Sequence, residues 1–183
     1  NGNGKRFKES LSEAEYQDLV KFEGNANGFR ILTENRPGIS GGLRLSYATL
    51  GAFTKYPKES LPHKPSSKIE DKKFGFFQSE KETFEDIAEE LGLKITREGK
   101  HIGYARHPLA FLVEAADDIC YTIIDFEDGI NLGLIDEDYA LEYLIKLVKD
   151  SINTSKYHEL QTTSDRLAYL RALAINTLIT EAA

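Results

Sequence analysis

Apolar residues recur every three or four positions along most of the chain, a spacing that places them on one face of a helix. The alternation of apolar and polar residues that indicates paired strands is not convincing anywhere. The pattern therefore predicts an all-α class, with irregular loops or a small hairpin around Glu98 and Gly99 between helices. The predicted helices cover roughly residues 12–33, 43–56, 79–92, 108–128, 136–151 and 164–183.

Helix-start and helix-stop signals support several of these bounds. Ser10 with Glu13, and again Ser12 with Glu15, have the spacing of a capping box, in which each side chain accepts a hydrogen bond from the other residue's backbone N–H. Ser79 and Glu82 repeat that spacing at the third helix, and Gly92 can end it. These signals predict where the first and third helices begin and where the third one ends.

The first predicted helix contains two glycines, Gly24 and Gly28, although a glycine inside a helix costs about 1 kcal/mol relative to alanine. Two interpretations remain open. Either another segment approaches the helix closely at these positions, or the helix is loosely packed.

Residues 57–73 hold three prolines, Pro57, Pro62 and Pro65, among lysine, serine and histidine. This composition predicts a flexible polar loop. No repeat and no low-complexity tract interrupts the remaining pattern, so a single helical domain is predicted over residues 1–183.

The helix predicted to begin at Pro108 and to end at Gly129 carries a line of polar side chains. Asp117, Tyr121 and Asp125 are spaced four residues apart, which aligns them on one face with about 6 Å between steps. The residues around them are apolar, so the helix is predicted to be mostly buried, where acidic groups need a partner or a metal. The three side chains would suit a metal, a phosphate oxygen and a sugar hydroxyl of one nucleotide. The alternative is that Asp118, Asp125, Glu127 and Asp128 form a solvated acidic stripe.

Composition limits the functional classes. The net charge of −7 argues against a general polyanion-binding surface, while it leaves room for a local basic pocket that holds one phosphorylated small molecule. Cys120, the single cysteine, excludes an intrachain disulfide and is interpreted as an inert buried thiol. No apolar run approaches the roughly 20 residues of a membrane span, so a cytoplasmic protein without a membrane partner is predicted.

Four segments follow one another as recognisable motifs. They are FEGNANGFRIL at 22–32, GLRLSYATL at 42–50, KYP at 55–57 and RHPLAFLVEAADDICY at 106–121. In this order they resemble the bacterial dGTPase family, the deoxynucleoside triphosphate triphosphohydrolases of the HD superfamily. The resemblance extends over residues 22–129, and the stretch Glu114–Asp118 is its most specific part. Asn27 departs from the family pattern, which usually has glutamine there, and the contact of that side chain stays open.

The resemblance implies an HD-domain-like helical bundle, of which this chain is expected to be an internal portion. It implies hydrolysis of a deoxynucleoside triphosphate, dGTP being the expected substrate, to the deoxynucleoside and tripolyphosphate. It also implies a divalent metal, Mg²⁺ or Mn²⁺, held by a His, a His-Asp pair and a later Asp that matches Asp117. Tyr121 and Asp125 match the family's polyphosphate and 3′-hydroxyl contacts.

The other metal ligands are not expected within this chain. No His-Asp dipeptide occurs in it, so the first three ligands and the catalytic residues are expected upstream of Asn1. The absence of methionine agrees with an internal fragment.

Four further side chains are candidate substrate-binding residues. Arg106, beside the start of the long helix, suits a bidentate phosphate contact. Lys55 and Lys73 are further cations for a triphosphate, although Lys55 also suits a helix C-terminus and Lys73 a solvated loop. Asn25 could bind substrate or act as a structural cap. His107 precedes a proline and is predicted to position the helix start rather than to bind metal.

Two other functions remain open. One is another HD-family phosphohydrolase, acting on a nucleotide monophosphate or a cyclic diester, which would not need the long reach from Asp117 to Asp125. The other is a non-catalytic regulatory or oligomerisation module. The resemblance also leads us to expect a homo-oligomer, whereas a single-stranded DNA effector is not indicated by the charge.

Overall fold

The structure, a computed structural model, describes residues 2–35, 37, 38, 40, 42–60, 73–97 and 101–183. Helices dominate these residues, which confirms the all-α class. The helices are α1 (Gly2–Glu9), α2 (Glu13–Val20), α3 (Gly24–Thr33), α4 (Tyr47–Phe53), α5 (Lys81–Glu90), α6 (Ala110–Asn131), α7 (Glu137–Val148), α8 (Thr154–Glu159) and α9 (Thr163–Ala182). Strands β1 (Ile95–Arg97) and β2 (Gly103–Tyr104) pair antiparallel as the predicted hairpin, whose turn at Glu98 and Gly99 lies outside the described residues.

The chain divides into two compact units, Asn1–Phe111 and Leu112–Ala183. The single domain expected over residues 1–183 stays a prediction. Among the helices of the described residues, none combines the length and the apolar character needed to cross a membrane.

Aromatic rings form the core of the first unit. Phe29, Phe76 and Phe84 are fully buried, and the rings of Phe76 and Phe84 stack with their centroids 4.5 Å apart. Leu50 and Ile87 are buried in the same cluster. Because burial of large aromatic rings dominates core energetics, this cluster fixes α3, α4 and α5 relative to one another.

Aliphatic side chains form the core of the second unit, where α7 and α9 pack together. The buried members of this core are Ile123, Ile130, Ala140, Leu144, Val148, Leu167, Leu170 and Ala174. An ion pair between Arg171 and Glu127 also joins α9 to the second half of α6. Cys120, which was predicted to be buried, is half-buried.

Two helices, α2 and α3, replace the single helix predicted over residues 12–33, so that prediction is wrong. Glu23 separates them, because its side chain accepts a hydrogen bond from the Asn25 backbone N–H at 3.3 Å and caps α3. The capping box of Ser12 and Glu15 is confirmed at the start of α2.

Gly28 shows the close approach that was one of the two interpretations of the glycines. A Cβ atom at Gly28 would lie 2.7 Å from Cζ of Phe53, so the ring of Phe53 packs directly on α3. At Gly24, the first residue of α3, such an atom would have no described neighbour within 4 Å.

The second and third predicted helices both begin later than predicted. The chain passes through the left-handed region at Arg44 (φ 54°), and α4 begins only after Ser46 caps it. A 3₁₀ turn includes Ser79, so the predicted cap at Ser79 is wrong. Gly92 (φ 62°) lies just beyond α5 and ends it as predicted.

The long helix α6 begins at Ala110 rather than at Pro108, and it continues through Gly129, its predicted end. The chain turns instead at Gly133 (φ 69°). A Cβ atom at Gly129 would lie 2.9 Å from Cδ1 of Ile135. The missing side chain at Gly129 therefore leaves room for the segment that follows α6, and this glycine does not end the helix.

Most of the loop predicted over residues 57–73 lies outside the described residues, which omit 61–72. Its described start is folded, because Glu59 and Ser60 are buried. That start therefore belongs to the packed part of the first unit.

Candidate functional site

A cavity of about 280 Å³ opens between the end of α4 and the β1–β2 hairpin. Lys58 forms an isolated antiparallel bridge with Gly103, and the Tyr104 N–H donates to the Pro57 carbonyl at 2.8 Å, so the hairpin folds back on the segment after α4. The lining residues are Lys55, Tyr56, Pro57, Lys58, Thr96, Arg97, Gly103, Tyr104 and Arg106. Two segments distant in sequence therefore share one cavity, which we call the basic cavity.

Four side chains of the basic cavity are cations, and no carboxylate of the described residues lines it. Lys55 and Arg106 were predicted as substrate-binding residues from separate motifs, and the structure brings them to the same cavity. Lys58 and Arg97 were missed, since only the pairing of the hairpin with the segment after α4 reveals them. On a chain with a net charge of −7, this cavity concentrates positive side chains, the property that a local basic pocket for a phosphorylated molecule needs.

Arg106 and His107 lie where the hairpin passes into α6. The guanidinium carbon of Arg106 lies 4.5 Å from the centroid of the Phe111 ring, a cation–π contact that orients the side chain. Nδ1 of His107 accepts a hydrogen bond from the Leu109 backbone N–H at 3.2 Å. His107 therefore helps to shape the start of α6, as predicted.

Glu23 connects the other two predicted substrate residues of the first unit. Its Oε1 accepts a hydrogen bond from Nδ2 of Asn25 at 2.7 Å and lies 3.8 Å from Nζ of Lys73. Nζ of Lys73 lies 6.0 Å from the ring centroid of Tyr56, which lines the basic cavity. Asn25 and Lys73 are thus held together beside this cavity, and their contact with a substrate stays a prediction.

Glu59 is a buried carboxylate that fixes the hairpin. Its Oε1 accepts from the Ile102 backbone N–H at 2.7 Å, and its Oε2 accepts from Nε2 of Gln78 at 2.8 Å and lies 3.2 Å from Nζ of Lys81. Burial opposes the charged form, but the bonds from Gln78, Ile102 and Lys81 outweigh it, so the pKa of Glu59 lies below its ordinary value. No local pattern marks this residue, because its partners come from distant segments.

Gly75→Ala is expected to distort the segment after α4. A Cβ atom at Gly75 would lie 2.3 Å from the Tyr56 carbonyl oxygen and 2.6 Å from Cγ2 of Thr54. Overpacking of this kind costs about 1–3 kcal/mol or more. The thermal unfolding midpoint of the 183-residue chain should therefore fall. Gly24→Ala is the matched control and should leave the midpoint unchanged or slightly higher. Equal midpoints for the two variants would show that Gly75 is not packed against Tyr56.

Asp117, Tyr121 and Asp125 follow one face of α6, in the second unit. All three are exposed, Tyr121 at 63%. No residue between Leu112 and Thr122 is buried, so the prediction of a mostly buried helix is wrong for this half. The physical reason is that an apolar side chain is buried only where another element covers it. Within the second unit, the buried residues of α6 all lie in its second half.

The described residues do not form a complete metal site. No group of three or more His, Cys, Asp and Glu side chains is arranged among them to hold a metal ion. Asp117 therefore offers one carboxylate only. Asp118, Asp125 and Asp128 are exposed, as the solvated-stripe alternative expects, whereas Glu127 is half-buried and pairs with Arg171.

The chain is similar to curated proteins that carry the name deoxyguanosinetriphosphate triphosphohydrolase-like protein. One from Synechocystis sp. is 42% identical over 180 residues, which cover 94% of this chain and 39% of that protein. One from Pseudomonas aeruginosa is 41% identical over 184 residues, which cover 98% of this chain and 40% of that protein. A deoxyguanosinetriphosphate triphosphohydrolase from Cronobacter sakazakii is 33% identical over 132 residues, covering 70% of this chain and 23% of its own length.

No protein-family model matches the chain. The chain spans about two fifths of the length of the first two relatives, 39% and 40%.

Proposed function

Because the chain belongs to the family of deoxyguanosinetriphosphate triphosphohydrolase-like proteins, we propose that it forms part of an HD-domain hydrolase of deoxynucleoside triphosphates. The proposed substrate is dGTP, and the products are the deoxynucleoside and tripolyphosphate. Water attacks the α-phosphorus, the bond from that phosphorus to the 5′-oxygen breaks, and the 5′-oxygen leaves with a proton.

The basic cavity is the observation that carries this proposal. Lys55 and Arg106 come from different motifs and line one cavity together with Lys58 and Arg97. A triphosphate carries about four negative charges near neutral pH, so its site needs several cations. The cations would bind the phosphate oxygens and stabilise the charge that shifts toward the leaving group.

Each predicted substrate residue has a role in this proposal. Arg106 donates from a planar guanidinium to two phosphate oxygens, and Lys55 supplies a point charge. Glu23 holds Asn25 and Lys73 ready for further substrate contacts.

The line along α6 supplies the remaining contacts proposed for this chain. Tyr121 donates to the polyphosphate, and Asp125 accepts from the 3′-hydroxyl of the sugar. Asp117 contributes one carboxylate ligand to Mg²⁺ or Mn²⁺, and the other ligands and the catalytic residues come from parts of the protein outside this chain. A homo-oligomeric state and a cytoplasmic location also remain predictions.

Product identification tests the proposed reaction in a protein of the relatives' full length. Incubation with dGTP should release deoxyguanosine and tripolyphosphate in equal amounts, as resolved by anion-exchange chromatography. Release of orthophosphate alone would assign the protein to another class of HD phosphohydrolase. If the protein shows no turnover, and calorimetry detects no nucleotide binding, a regulatory or oligomerisation module would be indicated instead.

A further inference from the structure

A second cavity of the first unit, about 410 Å³ in volume, lies among α1, α2, α3 and the 3₁₀ turn at Gln78–Glu80. It shares no lining residue with the basic cavity. The lining residues that matter here are Phe7, Asp18, Leu19, Phe22, Arg30 and Phe77. A mostly apolar cavity with a few convergent polar groups is typical of a small-molecule site.

Asp18 is the polar group of greatest interest in this cavity. Its side chain is buried, with 6% exposed, and its Oδ2 accepts a hydrogen bond from the Gln78 backbone N–H at 2.7 Å. Its Oδ1 is also buried and has no hydrogen-bond partner among the described residues. Because a buried carboxylate with an unpartnered oxygen is costly, a positive charge in the cavity beside Asp18 would stabilise it.

The titration of Asp18 agrees with this requirement. Burial raises the pKa of the Asp18 carboxyl, the Ser60 hydroxyl and the Gln78 backbone N–H lower it, and the charges of Glu80 and Glu59 raise it further. The net effect is a raised pKa, so the charged form of the carboxyl is disfavoured in the folded protein. A positively charged ligand nearby would favour that charged form.

The walls of the cavity suit a flat ring. Phe7 and Phe22 are 59% and 64% exposed, and the Phe22 ring lies 5.9 Å from the Phe77 ring, centroid to centroid. Aromatic faces attract both planar rings and cations.

The charge balance of the lining also favours a cation over an anion. Arg30 is the one cation in the lining among the described residues, and it lies 3.9 Å from both Glu34 and Glu80. The lining also contains the carboxylates of Glu15 and Asp18. An anion in this cavity would therefore face more negative than positive side chains.

We propose that this cavity binds a small organic cation with a flat apolar face and an N–H donor, of the amidine or aminoheterocycle class. The cationic group lies beside the Asp18 carboxylate, and the flat face lies against Phe22. This site is independent of the proposed hydrolase activity, and its test requires no turnover.

Benzamidine is a suitable probe, titrated into the 183-residue chain and followed by NMR. The resonances of the lining residues should shift as benzamidine is added, and the shifts should reach a plateau. Asp18→Asn should weaken binding by about tenfold or more, because the negative charge beside the cation is lost. Acetophenone has the flat ring but no N–H and no charge. It should bind the wild-type chain more weakly than benzamidine does, by a similar factor. Asp86→Asn makes the same charge change on the exposed side of α5 and should bind benzamidine as the wild-type chain does.

Leu19→Lys provides a second test that leaves Asp18 intact. Leu19 lines the cavity and is 58% exposed, so lysine there adds a positive charge at the rim at little cost to folding. It should weaken benzamidine binding by about threefold or more through like-charge repulsion. If Asp18→Asn fails to fold by circular dichroism, this variant decides the question. Equal affinities in the wild-type, Asp18→Asn and Leu19→Lys chains, or the absence of saturable shifts in the lining residues, would overturn the proposal.

Discussion

Asp117→Ala is expected to abolish turnover in a protein of the relatives' full length, lowering kcat by at least about a thousandfold. The proposed role of Asp117 is to supply one carboxylate ligand, so the bound divalent metal measured by mass spectrometry should fall together with the activity. The matched control is Asp118→Ala, which removes the same charge from the next position of α6. Asp118 lies about 100° further round the helix, out of line with Tyr121 and Asp125. Its kcat should stay within about threefold of wild type, as for other surface substitutions.

The two readouts separate failure of the ligand assignment from failure of the proposed function. Near-normal activity and metal content in Asp117→Ala would contradict the assignment of Asp117 as a metal ligand, without contradicting the proposed reaction. Equal losses in Asp117→Ala and Asp118→Ala would point to damage of α6 in general. Metal loss without loss of activity would show that the cation is not needed for the reaction.

Local periodicity was enough to place the residues along α6. Asp117, Tyr121 and Asp125 lie on one face because a helix period of 3.6 residues fixes that relation inside any straight helix. The capping box of Ser12 and Glu15 was equally local and is confirmed. The caps predicted at Ser10 and Ser79 were equally local and are wrong, so the helix period could be predicted from the sequence more securely than the exact helix starts.

Relations that depend on distant neighbours could not be read in this way. The basic cavity needs the pairing of Lys58 with Gly103, and the anchoring of the hairpin needs Glu59 to meet Ile102. Neither pairing leaves a trace in the periodicity of either segment.

Two further features could not be predicted from the hydrophobic pattern. They are the exposure of the first half of α6 and the break between α2 and α3. The apolar composition of the first half of α6 predicts burial, but burial depends on which element covers a face. The break before α3 had a local signal, since Glu23 accepts from the Asn25 N–H, yet glutamate is not among the preferred capping residues. A correct prediction would have needed the glycine at Gly24 to be taken as a helix start.

Glu59→Ala is expected to lower the free energy of unfolding of the 183-residue chain by about 3 kcal/mol. The side chain is only 4% exposed, and its loss leaves Nε2 of Gln78 and the Ile102 N–H without their acceptor and Lys81 without its buried partner. Glu85→Ala is the matched control, because Glu85 is the exposed partner of the same lysine, at 3.9 Å and with 39% of its side chain exposed. That change should cost less than about 1 kcal/mol. Urea unfolding measures both, and equal costs would contradict an anchoring role for Glu59.

The same carboxylate predicts a dependence of stability on pH. Because the pKa of Glu59 in the folded chain lies below its ordinary value of 4.5, the unfolded chain binds the proton more readily. The stabilisation is therefore fully present above pH 4.5 and is lost as pH falls through the lower, folded pKa. Asp18 and Glu80 act in the opposite direction, since their raised pKa values make their contribution present at low pH and lost as pH rises through the raised value. Comparison of wild type with Glu59→Gln cancels the contribution of Glu80 and all of that of Asp18 except its smallest cause, the repulsion from the Glu59 charge. The difference in urea midpoint should be largest above pH 4.5 and should shrink on acidification. A difference that does not change with pH would show that the charge of Glu59 contributes nothing to holding the hairpin.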